Sequence, residues 1–304
     1  MKMDISIVIP TYNAEKYLPA LLKALKGQTI SFELLIIDSS STDDTIAISR
    51  QYTDRIIVIP KSEFDHGGTR TKAAQAASGE VVVFLTQDAL PYDTETVETL
   101  VKVFDDPSVA AVYGRQIPYE KSSLFGKHLR HFNYRDTSCL RTLHDRKTYG
   151  IKTAFLSDSF AAYRKTALAQ IDWFKNGLIG SEDTYAGAKL LMSGNTLAYC
   201  AEAKVYHSHS YTVLEEFKRY FDIGAFHQSE HWILDTFGKA DGEGKKYVIS
   251  EFNYILAEHG YRYIPSFFIR NGMKYLGYKL GYHHQKLPLF LIRSFSMHKS
   301  WWKR

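Results

Sequence analysis

GEVVVFLTQDALP, residues 79–91, is the stretch whose reading decides the fold. Five apolar residues, Val81 to Leu85, follow a glycine turn and stop at Thr86-Gln87-Asp88, with Pro91 shortly after. A short continuous apolar run bounded by turn residues predicts a strand buried on both faces, and such strands belong to parallel sheets covered by helices. The neighbouring sequence repeats the pattern. Ile5 to Ile9, closed by Pro10, Phe32 to Ile37 and Ile56 to Ile59 read as three more buried strands. Between them Tyr17, Leu18, Leu21, Leu22 and Leu25 recur at helical spacing up to Gly27, Ser41-Thr42-Asp43-Asp44 has the form of a capping box, and Thr69 to Ala77 reads as a third helix. Strands alternating with helices predict an α/β fold with a mostly parallel sheet and helices on both faces.

Beyond residue 115 the signal weakens. Residues 116–150 mix charges and aromatics without a period and read as loop and helix, a candidate lid. Phe155 to Arg164 and Thr196 to Tyr206 look strand-like, Ser181 to Leu191 helical, and helices follow from Leu214. The chain of 304 residues, 45% hydrophobic, is ample for a sizeable core. No apolar stretch approaches the roughly 18 to 20 residues that span a bilayer, and MKMDISIVIP is too short an apolar start for a signal peptide, so the expected location is the cytoplasm. Cys139 and Cys200 stand alone with no CxxC spacing, which suggests neither a cysteine-built zinc site nor a disulfide framework and reads as buried free thiols. The formal charge of +5 is uneven: residues 261–304 hold nine Lys or Arg, eleven aromatic residues and no Asp or Glu, leaving −4 for the rest. A membrane surface suits that tail better than nucleic acid does, since anionic lipid attracts the cations while Trp and Tyr settle at the interface; ordinary packing with a basic outer side is the other reading.

In open α/β sheets ligands sit outside the carboxyl ends of strands. That places Pro10, Thr11, Tyr12 and Asn13 after the first strand, Asp38 and Ser40 after the second, and Gln87 and Asp88 after the fourth in a binding crevice. Asp38 there is either an acceptor for a ligand's N–H and hydroxyl groups or a neighbour of a helix cap. FDHGGTR, residues 64–70, gathers Asp65, two glycines with Gly68 the second, and Arg70 into a turn, either a phosphate cradle with a forked guanidinium or an ordinary tight turn. Asp88 either caps the turn before Pro91 or holds a hard divalent cation, which needs few protein carboxylates when phosphate oxygens and water complete its shell. His207 and His209 in VYHSHSY are the candidate partners, and imidazole suits manganese better than calcium. In GSEDTYAGAKL, from residue 180, Ser181 fits an N-cap and Glu182 and Asp183 fit the first turn of a helix; small residues beside them leave room for a hydroxyl that a general base would deprotonate.

In this order and spacing, VIPTYN, IIDSSSTDDT, FDHGGTRTKAAQAASGEVVVFLTQDALP, SEDTYAGAKL and VYHSHSY resemble the inverting family-2 glycosyltransferases of GT-A fold, and among them the bacterial rhamnosyltransferases. The resemblance covers roughly the first 215 residues and implies a GT-A domain there, with a nucleotide half to about 115 and an acceptor half from 116, followed by a helical extension over 216–304. It implies that Asp38 meets the nucleoside base, Arg70 lies near the diphosphate, Asp88 and His207 hold Mn2+ or Mg2+, and Asp183, beside Glu182, is the catalytic base. Thr86 replaces the first acid of the family's Asp-x-Asp, which implies weaker metal affinity, and Thr71 replaces the usual Asn after the arginine, which leaves the role of that turn open. TQD with FDHGGTR implies dTDP-L-rhamnose as donor, with a lipid-linked glycan acceptor at the inner membrane face. A UDP-linked hexose or N-acetylhexosamine is the alternative donor. A nucleotidyltransferase, which would release pyrophosphate, and a non-catalytic nucleotide-sugar binder are the alternatives of other classes.

Overall fold

The structure is a computed structural model describing residues 3–238 and 241–303; Arg304, counted in the basic tail, lies outside the described residues. The first half is built as β1 (Ile5–Thr11), α1 (Leu18–Lys26), β2 (Glu33–Asp38), α2 (Thr45–Ser49), β3 (Ile56–Val58), α3 (His66–Ala76), β4 (Val81–Leu85), β5 (Leu90–Pro91) and α4 (Thr96–Val101). Then come β6 (Val109–Ile117), α5 (Leu124–Asn133), β7 (Cys139–Arg141), α6 (Arg146–Tyr149), β8 (Phe160–Arg164), α7 (Lys165–Gln170), α8 (Glu182–Met192) and β9 (Thr196–Tyr206). Five helices close the described chain: α9 (Val213–Ser229), α10 (His231–Phe237), α11 (Asp241–Ala257), α12 (Ile264–Tyr282) and α13 (Leu289–Phe295).

The strands form one sheet in the order β3-β2-β1-β4-β8-β6-β9-β5, with β7 also paired to β9. From β3 to β4 all pairing is parallel, as the apolar runs predict. Past β4 the sheet is mixed: β8 runs antiparallel to both β4 and β6, whereas β6 and β9 are parallel. The sequence reading did not separate these halves, because direction is set by what a strand pairs with and not by its own apolar run. All of Val81 to Leu85 is at most 1% exposed, and cores fill both faces of the sheet, one around Val8, Phe84 and Tyr163, the other around Ile7, Val83 and the leucines of α1.

Three local readings change. Ser41 does not cap α2; its hydroxyl bonds Asp38, and the helix starts at Thr45, whose N–H and hydroxyl donate to Asp43. FDHGGTR is no open turn but the start of α3, because the Asp65 carboxylate accepts from the Gly67 and Gly68 N–H groups and outweighs the poor helix propensity of two glycines. Residues 116–150 hold a strand, β7, on the far side of β9, as well as α5.

Candidate active site

The ends of β1, β2 and β4 are tied together by side chains predicted to bind nucleotide. The Asp38 carboxylate is wholly buried and accepts from the Thr11 hydroxyl at 2.8 Å, the Ser41 N–H at 2.8 Å and the Ser41 hydroxyl at 2.6 Å. The Gln87 amide clasps the backbone of Tyr12, accepting its N–H at 2.9 Å and donating to its carbonyl at 3.3 Å. Asn13 and Ser40 both hold positive φ, 47° and 58°, although neither is glycine. Asn13 is held by Ser41 and Thr42 and Ser40 by the Ile59 carbonyl, so the strained conformations follow from these bonds. Tyr12 is exposed beside Pro10 and Thr11, with the Lys61 ammonium 4.1 Å from its ring centre. Asp65 is spent on capping α3 and on the Gly177 N–H at 3.0 Å, and Gly68 sits against Asn176.

A cavity of about 660 Å3 opens beyond the ends of β4, β6 and β9, within the range of small-molecule sites. Asp88, His207 and His209 stand on its wall together with Glu182 and Asp183. The His207 Nε2 lies 3.5 Å from one Asp88 oxygen and the His209 Nε2 3.7 Å from the other. One ligand atom from each residue lies within 4.8 Å of the others, a spacing that one ion with bonds of about 2.1 Å closes after small rotations. The histidines follow the end of β9 instead of continuing it, yet both reach Asp88. Burial raises the Asp88 pKa, but the hydrogen bond and charge of His207 and the charge of His209 outweigh it and leave it well below the usual carboxylate range. Burial pushes both imidazoles the other way, His209 down to about 4. A carboxylate with two neutral imidazoles is a donor set for Mn2+ or Mg2+, with manganese the better match to nitrogen. Gln116 completes it: its side-chain N–H donates to the Ser157 hydroxyl, so its carbonyl faces the His207 Nδ1 at 2.8 Å, fixes the proton there and leaves Nε2 as the ligand atom.

The acid pair is set by Gly180 and Ser181, at φ 149° and 61°, which swing the first turn of α8 toward the cavity. Ser181 occupies the N-cap position without a side-chain cap bond. Arg70 explains the difference between the two acids. Its Nη1 lies 2.9 Å from Glu182 and its Nε 3.0 Å from Asp158, and the whole group is buried. Burial raises Glu182, but Arg70 and then His66 win, leaving it below its ordinary value and ionised. Asp183 forms no ion pair with Arg70: burial and the adjacent Glu182 charge push it up to about 6, against the Thr184 N–H, the more distant Arg70 charge and the Asp158 N–H. Asp158 rises to about 8, mainly by burial, with Asp183 and Glu182 adding and Arg70 and the Tyr163 hydroxyl opposing. The guanidinium that the sequence places near a diphosphate is thus engaged by two carboxylates, while the acid meant as base is left partly open to the cavity and poised near neutrality.

The cavity gathers Arg70, Asp88, Glu182, Asp183, His207 and His209; the β1 and β2 candidates, Asp65, Gly68 and Gln87 lie outside its lining. Sequence reasoning missed His66, Gln116, Asp158 and, from the C-terminal helices and tail, Asp222 and His298, all of which line it. None has a local signature. Each acquires its place from a partner far away in the chain, as Gln116 does from His207 and Ser157.

Known proteins resemble this chain over most of its length. Residues 6–172 match the model of Glycosyl transferase family 2. The chain is 44% identical over 303 residues to the O-antigen chain rhamnosyltransferase RfbN of Salmonella typhimurium, covering 99% of this chain and 96% of that one. It is 45% identical over 303 residues to the O-antigen chain rhamnosyltransferase WbaN of Salmonella anatum, covering 98% and 95%. Among solved structures it resembles the mannosyltransferase PcManGT of Pyrobaculum calidifontis, determined with GDP-Man and Mn2+, at TM-score 0.63 and 15% identity over 94% of this chain and 89% of that one. It also resembles S. aureus TarS 1-349 with UDP-GlcNAc, at TM-score 0.56 and 19% identity over 93% and 92%. These likenesses show the shared GT-A fold, and with the family match and the two full-length relatives they establish that the chain is a glycosyltransferase belonging to family 2.

Proposed function

We propose that the chain transfers L-rhamnose from dTDP-L-rhamnose to a hydroxyl of a lipid-linked glycan during O-antigen synthesis, inverting the anomeric configuration. The observation that carries this reading is that the Asp88 cluster and Asp183 share one cavity, the arrangement a single displacement needs, in a chain that aligns throughout with O-antigen rhamnosyltransferases. Asp183 accepts the proton of the acceptor hydroxyl as that oxygen bonds to the anomeric carbon. The bond from that carbon to the diphosphate breaks, and dTDP departs with its electron pair. Asp88, His207 and His209 would hold a divalent cation, Mn2+ or Mg2+, which supplies positive charge to the leaving diphosphate. Glu182, kept ionised by Arg70, raises the basicity of Asp183 without leaving its own ion pair. The ends of β1 and β2 with the exposed Tyr12, Asn13 and Ser40 form the floor for the nucleoside, and Asp38, buried beneath them, holds Thr11 and Ser41 in place instead of meeting the base.

The acceptor is expected at the inner membrane face, and α12 supports this. Phe267, Lys274, Gly277 and Gly281 point inward, whereas Phe268, Ile269, Tyr275 and Leu276, at helical spacing, are 46 to 65% exposed. No helix among the described residues is long and apolar enough to cross a membrane, so the stripe would lie on a surface. Calorimetric titration and turnover with a panel of donors test the donor assignment. Transfer from dTDP-L-rhamnose with tighter binding of dTDP than UDP is expected; the reverse preference would replace it with a UDP-hexose or UDP-N-acetylhexosamine donor.

A further inference from the structure

Three arginines rank among the buried side chains: Arg70, Arg130 and Arg141. Arg70 faces Asp158 and Glu182. Arg141 donates to the carbonyls of Lys152 and Phe155. Arg130, on α5 and 9% exposed, differs from both. The Nε of all three lacks a hydrogen-bond partner, but only the Arg130 guanidinium enters none of the side-chain hydrogen bonds and ion pairs among the described residues, and its ring neighbour is Tyr134, with the guanidinium 5.9 Å from the ring centre. Burying a guanidinium without a direct partner is unfavourable, and here the distant Asp88 charge is opposed by Arg219, so a cation kept this way in a ligand-binding cavity suits an anion brought in by a ligand. The side chain lines the same cavity as Asp88, His207 and His209, and its charge, with that of Arg219 on α9, acts on both imidazoles. Arg219 is exposed and lines the cavity as well.

We propose that Arg130 is a diphosphate-binding residue, its guanidinium forking onto diphosphate oxygens held at the Asp88 corner of the cavity, the task that Arg70 cannot perform while it is paired with Asp158 and Glu182. The planar fork of arginine matches phosphate oxygens two at a time, and a partner there relieves the unpaired charge. The proposal rests on the glycosyl-transfer reading, and two diphosphates meet the description: that of the dTDP donor and the one that would join the glycan acceptor to its lipid.

The test uses the full chain as wild type, Arg130→Met and Arg130→Lys, with dTDP and thymidine as probes. Without ligand, Arg130→Met should melt no lower than wild type, since it removes an unpaired buried charge. It should bind dTDP about 10- to 100-fold more weakly, the range for losing a charge-assisted hydrogen-bond pair, with thymidine binding unchanged and Arg130→Lys intermediate. Unchanged dTDP affinity, combined with an acceptor KM raised at least about 10-fold for a polyprenyl-diphosphate glycan but not for the same glycan lacking the diphosphate, would assign Arg130 to the acceptor's diphosphate. A lower melting temperature with unchanged affinity for dTDP and for both acceptors would mark Arg130 as structural and overturn the proposal. Absence of dTDP and UDP binding in the wild type would instead overturn the glycosyl-transfer reading, and the proposal with it.

Discussion

Glu182 and Asp183 are adjacent carboxylates with opposite tendencies: Arg70 pairs directly with the first and acts on the second only from a distance, too weakly to offset burial and the Glu182 charge. A base works deprotonated, so kcat/KM should rise with pH and level off above about 6 if Asp183 is that base. An aspartate near its ordinary value of 3.8 would give a flat profile over the same window. Because the folded-state value is raised, ionising Asp183 weakens the fold as pH climbs from the ordinary carboxylate range through about 6, and Asp183→Asn should melt no lower than wild type at pH 7.5, as thermal denaturation would read. Gln116 acts one bond further out. Gln116→Leu removes the acceptor that holds the His207 Nδ1 proton, and manganese affinity measured by calorimetry should fall roughly 10- to 100-fold, with the fold retained.

At the scale of elements, the parallel half of the sheet was legible because each of its strands is a mostly apolar run ending in turn residues, and the candidate residues Asp38, Gln87 and Asp88 stand at or just past those ends. The later half was not. β8 and β7 run antiparallel to their neighbours, and Asp158, which precedes β8 and meets Arg70, carries no local mark of that contact. The pair SED was legible as a helix start, but the inequality of its two acids depends on Arg70, a long-range partner. The contact between α12 and α9 was equally hidden. A Cβ on Gly281 would sit 1.9 Å from the Phe221 carbonyl oxygen, and one on Gly277 2.4 Å from that of Phe217, so the helices meet backbone to backbone. Gly281→Ala must push them apart and should lower stability by about 2 kcal/mol or more in chemical denaturation. Since α9 carries Asp222 and Arg219 into the cavity, turnover should fall too.

For the whole molecule, the helices after residue 212, read from the sequence as a helical extension, also line the candidate cavity: α9, α11, α12 and the tail contribute Asp222, Tyr247, Lys274 and His298. The tail is fastened back by the Met297 N–H on Asp222 and by the Trp301 indole N–H on the Gly177 carbonyl, close to the loop that presents the acid pair. The outer side of α12 is the expected membrane face. Replacing Phe268 and Leu276 by Ser should weaken binding to anionic phospholipid vesicles by about 100-fold or more in co-sedimentation, at two large apolar side chains of roughly 1.5 kcal/mol or more each, while leaving dTDP affinity intact. Everything in the reaction scheme depends on Asp183 drawing the proton from the acceptor in the cavity where Asp88 meets the donor. The most direct measurement is therefore the turnover and dTDP affinity of Asp183→Asn, side by side with wild type. The account predicts turnover lower by about 10² to 10⁴ with unchanged dTDP affinity; near-normal turnover would contradict it.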